Sequence, residues 1–157
     1  LRWELNAEAD RVLGEPGQLK GVVINLMLNA LDAQPDGGEL LVQSVLRTGE
    51  DPGRGGPVLE LRFRDQGTGV PADIQDRIFE PFFTTKGGGS GIGLAVVSQT
   101  VRDHGGDVFL AERTRVAQGA EFVVRLPLAA VVLERAPGQI EARVAPWMEE
   151  VGGPDRS

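Results

Sequence analysis

Cysteine is absent from the chain, so thiolate catalysis, cysteine-ligated zinc and a disulfide framework are excluded together. That absence suits a reducing compartment, and a cytoplasmic location is the expectation. No run of about 18 apolar residues occurs, so no segment is expected to cross or contact a membrane. The longest near-apolar stretch, 21–33, is interrupted by Asn25, Asn29 and Asp32. No basic-then-apolar leader is visible either. Positive charge is scarce: 16 lysines and arginines face 23 acids, giving a net charge of -7 and a pI near 4.8. A field of that sign argues against nucleic acid as a partner. An anionic ligand must then be held by local geometry and a metal ion, against that field. Histidine occurs once, at His104.

Glycine, by contrast, is plentiful at 22 of 157 residues. The glycines cluster in short motifs, so they read as positional rather than as linker. A chain of this length suits one domain and buries roughly 68–70% of its unfolded surface, enough to need no staple. "LRWELNAEA" carries a strand signal. From Pro16 to the Asp36-Gly37-Gly38 stop the pattern is a helix, with Leu19, Val22, Val23, Leu26, Met27 and Ala30 on one wide apolar face. "ELLVQSVLR" reads as a strand, and "TGEDPGRGGP" as a tight hairpin or a loose loop. "VLELRFRD" alternates apolar and charged residues, the mark of a half-buried strand. Pro71 to Phe79 predicts a short helix and Gly91 to Asp103 a long one. "GDVFLAE" and "GAEFVVRLPL" predict an antiparallel pair. Without regular βαβ alternation, the expected class is α+β: a two-layer α/β sandwich, its mixed, mostly antiparallel sheet carrying helices on one face. The domain is expected over 1–128. Residues 129–157 read as a tail or linker, or as a last helix packed on the domain.

"FFTTKGGGSGIGLAVV" places five glycines between Gly87 and Gly93, just before a helix. Three known phosphate loops do not fit it. Leu94 stands where a dinucleotide fingerprint needs its last glycine. Gly93 is followed by Leu94 and Ala95 rather than by Lys-Ser/Thr, and the protein-kinase spacing fails as well. What these loops share still applies. Residues without Cβ let backbone N–H groups approach an anion, and a helix N-terminus adds its dipole. A hinge or a tight helix crossing explains the glycines equally well when they are taken alone.

Other motifs bear on that choice. Asn25 and Asn29 lie four apart on one helix face, and the Asn29 carbonyl oxygen is a hard donor suited to Mg²⁺, although an ordinary buried amide would look the same. Asp65-x-Gly67-x-Gly69 follows a strand, where a carboxylate can accept from an exocyclic amine, although the run taken alone reads equally as a simple turn. "IFEPFFTTK" joins an apolar anchor, including Phe82, to Thr84, Thr85 and Lys86, a hinged flap with a phosphate-facing tip. In this order the motifs resemble the ATP-binding catalytic domain of bacterial sensor histidine kinases, in the gyrase, chaperone, histidine-kinase and mismatch-repair ATPase superfamily (the Bergerat fold). The N box matches at 25–33, the glycine boxes at 65–69 and 89–93, and the F box at 79–83. A last box matches at 119–122, with His104-Gly105-Gly106 also in the family's style. "PFFTTK" and a short lid resemble the nitrogen-regulation variant.

The resemblance implies that ATP and Mg²⁺ are bound. Asn29 would ligate the metal and, with Lys86, serve the reaction. Asp65 would accept from the adenine amine, with Gly67, Gly69, Ala33 and Ala120 around the ring. Phe82, Thr84, Thr85 and Lys86 would belong to the lid near the terminal phosphates. Backbone at Gly89, Ser90, Gly91, Ile92, Gly93 and Leu94 would cap those phosphates. Hydrolysing members carry glutamate where this chain has Asn25, and an amide cannot take a proton from water near neutral pH. Transfer to a histidine on separate dimerisation and phosphoacceptor helices is therefore the expectation, with a response regulator downstream. The alternatives are a non-catalytic nucleotide-binding pseudokinase module and an anti-sigma-type serine kinase. His104 reads as a helix-end cap, Trp3 and Trp147 as packing residues, and Glu15, Asp36, Glu39 and the Glu149-Glu150 pair as solvated acids. Asp32 is left between a water-mediated ligand contact and a surface acid.

Overall fold

Helix α1, Pro16–Asp32, starts where its sequence can satisfy the first turn. Pro16 supplies a preset φ and lacks an N–H that would have no partner there. Glu15, expected as a solvated acid, is instead the cap: its carboxylate accepts from the Gly17 and Gln18 N–H groups at 3.1 and 2.7 Å. The six apolar residues predicted on one face are all buried. A computed structural model describes residues 1–7, 11–48, 56–111, 119–129 and 140–143 of the chain. The turn at 49–55, Trp147 and the Glu149-Glu150 pair lie outside the described residues, as does any helix in 130–139 or 144–157.

The main sheet has five strands: β1 Arg2–Leu5, β3 Leu40–Arg47, β4 Val58–Asp65, β5 Asp107–Leu110 and β6 Glu121–Pro127. Their order is β1-β3-β4-β6-β5, with β1 parallel to β3 and the other neighbours antiparallel. Helices α1 and α2, Gly93–Asp103, pack against each other and on the sheet. Leu26 and Val23 of α1 and Val97 and Val101 of α2 meet Leu59, Leu61 and Phe63 of β4 in one buried cluster. This is the expected two-layer arrangement. Its predicted β5–β6 antiparallel pair is present, in the register Val108↔Val124. The expected short helix is a 3₁₀ helix, Ala72–Arg77.

Two features differ from the sequence reading. A four-residue strand, β2 Arg11–Gly14, pairs antiparallel with β7, Ile140–Arg143, in a second small sheet. Residues after 128 thus contribute a strand, which neither a tail nor a last helix anticipates. The bridge Val12↔Leu128 lies beside that pair.

The second difference is β4, whose face away from the helices is covered at Glu60 rather than open to solvent throughout. Glu60, on the face away from the helices, is 0% exposed. Its carboxylate accepts from Arg62 Nε at 2.7 Å and Arg125 Nε at 3.0 Å, with Arg47 at 3.4 Å. Long arginine stems cover strand surface while their heads stay partly wet. Burial pushes the Glu60 carboxyl up, but the Arg125 and Arg62 hydrogen bonds and the Arg62 and Arg47 charges outweigh it and hold the group below its ordinary value. A carboxyl lowered in the folded state contributes stability that is present above its unfolded pKa and lost as pH falls through the folded one. Glu60→Gln is therefore expected to lower the melting temperature at pH 7. The gap to the unmodified chain should begin to narrow as pH falls through the ordinary glutamate range of about 4, where the unfolded state protonates first. It should close only as pH falls further, through the lowered folded-state value. Thermal unfolding from pH 7 to 3 checks this, and a gap that stays constant with pH would refute it.

His104 ends α2, as the sequence suggests, and does more. Its Nε2 accepts the Glu15 N–H at 3.1 Å, so its proton sits on Nδ1, 2.7 Å from the Thr100 carbonyl oxygen. One neutral imidazole thereby ties the end of α2 to the cap of α1.

Candidate functional site

The C-terminal half of α1, the end of β4, the 70–91 connection and the start of α2 enclose a cleft of about 520 Å³. That volume falls within the range of small-molecule sites. Asn25, Asn29, Asp32 and Ala33 line it from α1 and its end, Asp65 and Gly69 from β4 and the following turn, and Ala120 and Phe122 from just before and within β6. Thr84, Thr85, Lys86, Gly89, Ser90, Gly91, Gly93 and Leu94 line the remaining side. Of the residues the motifs single out, Gly67, Phe82 and Ile92 fall outside the lining. Gly67 borders a shallower neighbouring depression beside Gly119, and Phe82 is 75% exposed. The apolar wall of Val70, Ile74 and Ile78 was not singled out from the sequence. Its signal, apolar residues four apart from just before a short predicted helix into it, reads only as core.

Asp65 is 2% exposed at the floor of the cleft. Its Oδ1 accepts the Gly67 N–H at 2.8 Å and the Ala120 N–H at 3.1 Å, which fixes the carboxylate plane. Two backbone donors on one oxygen leave an anchored acceptor of the kind that reads an amine. Asn25 donates from Nδ2 to the Gly21 carbonyl at 2.9 Å, the usual back-bond of a polar residue in a helix. An added Cβ at Gly93 would lie 3.1 Å from Asn25 Oδ1, so the start of α2 sits against that amide.

The 82–91 loop is closed at its neck. Phe82 N–H donates to the Gly91 carbonyl at 2.9 Å, and Phe82 itself has φ 67°, a conformation that strains a bulky residue. Gly91 is required there: its φ is 65°, and a Cβ would lie 2.8 Å from the Phe82 and Phe83 carbonyl oxygens. The root of the loop is fixed by aromatic contacts. Phe79 meets Phe122 edge-on at 6.3 Å, and the Arg77 guanidinium lies 4.5 Å above Phe83. The first turn of α2 has no side-chain cap. Its orphan N–H groups and the helix dipole adjoin the glycine backbone that lines the cleft, an arrangement that favours anions.

The cleft thus offers an anchored carboxylate at one end, apolar walls between, and uncapped backbone donors with a lysine at the other. An amine-bearing flat ring joined to a polyphosphate fits that gradient. The Asn29 amide oxygen already accepts a cationic group, Lys86 Nζ at 3.4 Å. As a single hard oxygen it suits a divalent ion that takes its other ligands from water and phosphate. Among the described residues no helix is long and apolar enough to cross a membrane.

Residues 14–130 match the family model described as histidine kinase-, DNA gyrase B- and HSP90-like ATPase. Sensor histidine kinase ZraS of Escherichia coli K12 is 36% identical over 128 residues, 82% of this chain and 25% of that protein. Two-component sensor PprA of Pseudomonas aeruginosa is 44% identical over 121 residues, 76% of this chain and 13% of that protein. The chain thus spans a quarter or less of these relatives. The catalytic domain of histidine kinase ThkA superposes with a TM-score of 0.65 at 29% identity, covering 80% of this chain and 76% of that one. Full-length ShkA in complex with AMPPNP gives a TM-score of 0.63 at 26% identity, covering 91% of this chain and 26% of that one. The α+β sandwich is the fold these domains share.

Proposed function

Because the chain belongs to the histidine kinase-, DNA gyrase B- and HSP90-like ATPase family, as an ATP-binding domain of the sensor histidine kinase kind, we propose that it binds Mg-ATP and donates the γ-phosphate to a histidine of separate dimerisation helices. A response regulator would then receive the phosphoryl group. The observation that carries this reading is the placement of Asp65, Asn29, Lys86 and the uncapped start of α2 around one cleft. In this reading Asp65 accepts from the adenine amine, and Ala33, Gly69 and Ala120 lie around the ring. Backbone N–H groups from Gly89 to Gly93 hold the phosphates, with Lys86 at the terminal one. Asn29 would hold Mg²⁺, which supplies charge neutralisation across the phosphate oxygens. ShkA, whose structure contains AMPPNP, supports adenine nucleotide as the ligand class.

Transfer rather than hydrolysis follows from Asn25. Its amide has no proton-accepting strength near neutral pH, and its Nδ2 is bound to the Gly21 carbonyl. Incubation with γ-labelled ATP and a helical histidine acceptor is expected to place acid-labile label on the acceptor. The chain alone should release phosphate only slowly, and Asn25→Glu should speed that release. Brisk release by the unmodified chain, or label on a serine acceptor instead, would overturn the assignment.

A further inference from the structure

The sequence leaves Asp32 between a ligand contact and a surface acid, and the function proposed above does not use it. Asp32 Oδ2 accepts from Lys86 Nζ at 2.9 Å, and the same ammonium reaches Asn29 Oδ1 at 3.4 Å. Asn29 and Asp32 are three residues apart on α1, so their side chains share a helix face and converge on one cation. Lys86 is held at its base as well. Its N–H donates to Thr84 Oγ1 at 3.1 Å, and its carbonyl accepts the Gly89 N–H at 3.2 Å.

A carboxylate at the rim of a polyphosphate site is unfavourable by itself, because like charges repel. Stability does not explain it, since the two side chains are 61% and 44% exposed and so wet an ion pair adds little. Orientation does. A lysine carries its charge on a flexible stem, and an ordered partner at the tip selects one direction for it. The geometry points to Asp32 as a positioning residue for Lys86, holding the ammonium beside Asn29 at the phosphate end of the cleft; this assignment rests on the nucleotide reading above. Lys86 then distinguishes three phosphates from two, and Asp32 acts through it.

Calorimetric titration of the chain with a non-hydrolysable ATP analogue and with ADP, each with Mg²⁺, tests this. The unmodified chain is expected to prefer the triphosphate. Asp32→Asn should lower that preference about three- to fivefold, the size of one exposed charged contact, with ADP affinity holding or rising as the repulsive carboxylate is removed. Asp32→Glu should restore most of it. Lys86→Ala should lower the preference at least as far, and the double variant should be no worse than Lys86→Ala alone. A preference unmoved by Asp32→Asn, one that rises, or effects of the two substitutions that simply multiply would each overturn the assignment. Failure of the unmodified chain to bind either nucleotide is a different result; it rejects the nucleotide site and this assignment with it.

Discussion

Asp65→Asn is expected to weaken adenine-nucleotide binding about a hundredfold or more while barely moving the melting temperature. In the nucleotide reading the two effects separate, because the carboxylate would then serve two sets of partners. Oδ1 is occupied by the Gly67 and Ala120 N–H groups, and the amide oxygen of asparagine can keep both bonds. The amide nitrogen must then take the place of the other oxygen and present N–H toward the ring amine, donor against donor. A buried donor left unmatched costs more than the lost bond alone. The same reversal gives a second outcome: a hypoxanthine ring, with a carbonyl in place of the amine, should lose far less affinity than adenine in this variant. Titration with adenosine and inosine triphosphate analogues, beside a thermal melt, reads all three quantities. Adenine binding that survives unchanged in the variant would remove Asp65 from the ligand site.

Gly119→Ala should damage fold and cleft together. Gly119 has φ 95°, and a Cβ there would fall on the backbone carbonyl of Asp65, which cannot rotate away. The adjoining residue ties that point of β4 to β6: Asp65 N–H donates to the Ala120 carbonyl at 2.9 Å, and Ala120 N–H returns to Asp65 Oδ1. The left-handed conformation costs about 1–2 kcal/mol for a residue with a Cβ. Displacing the strand end forfeits two hydrogen bonds of about 1 kcal/mol each. A total near 3 kcal/mol corresponds to a fall in melting temperature of about 6–12 °C in a domain of this size. Nucleotide affinity should fall as well, because the displaced strand end carries the Ala120 donor that anchors Asp65. A variant that melts with the unmodified chain and binds as well as it does would contradict the geometry.

Helices and most main-sheet strands were legible in the sequence because their patterns are local. Pro16 and the Asp36-Gly37-Gly38 stop bracket α1, and its apolar residues recur at helical spacing. β2 was not legible, since four residues carry little periodicity and its partner lies about 130 positions away in an unpromising segment. The alternation in β4 gave the correct faces but the wrong exposure. Whether charged residues face water or cover one another depends on Arg47 and Arg125 arriving from neighbouring strands. At the cleft, the motifs named most of the lining because each glycine box is a short contiguous run. They could not reveal the Asp32–Lys86 contact, which spans 54 positions and depends on how the loop folds back over α1. The cap at Glu15 was missed because a glutamate before Pro-Gly looks the same whether it bonds backbone or water.

The one imidazole of the chain has a consequence for assay design. Both ring nitrogens of His104 are engaged, one by the Glu15 N–H and the other by the Thr100 carbonyl, inside a buried junction of two helices. Neither nitrogen can reach an external electrophile without opening that junction. In a mixture of this chain with any acceptor protein, phosphohistidine detected by a side-chain-specific antibody should therefore originate from the acceptor alone. This chain would contribute no background, and its amount in the reaction could be raised freely without correcting the signal.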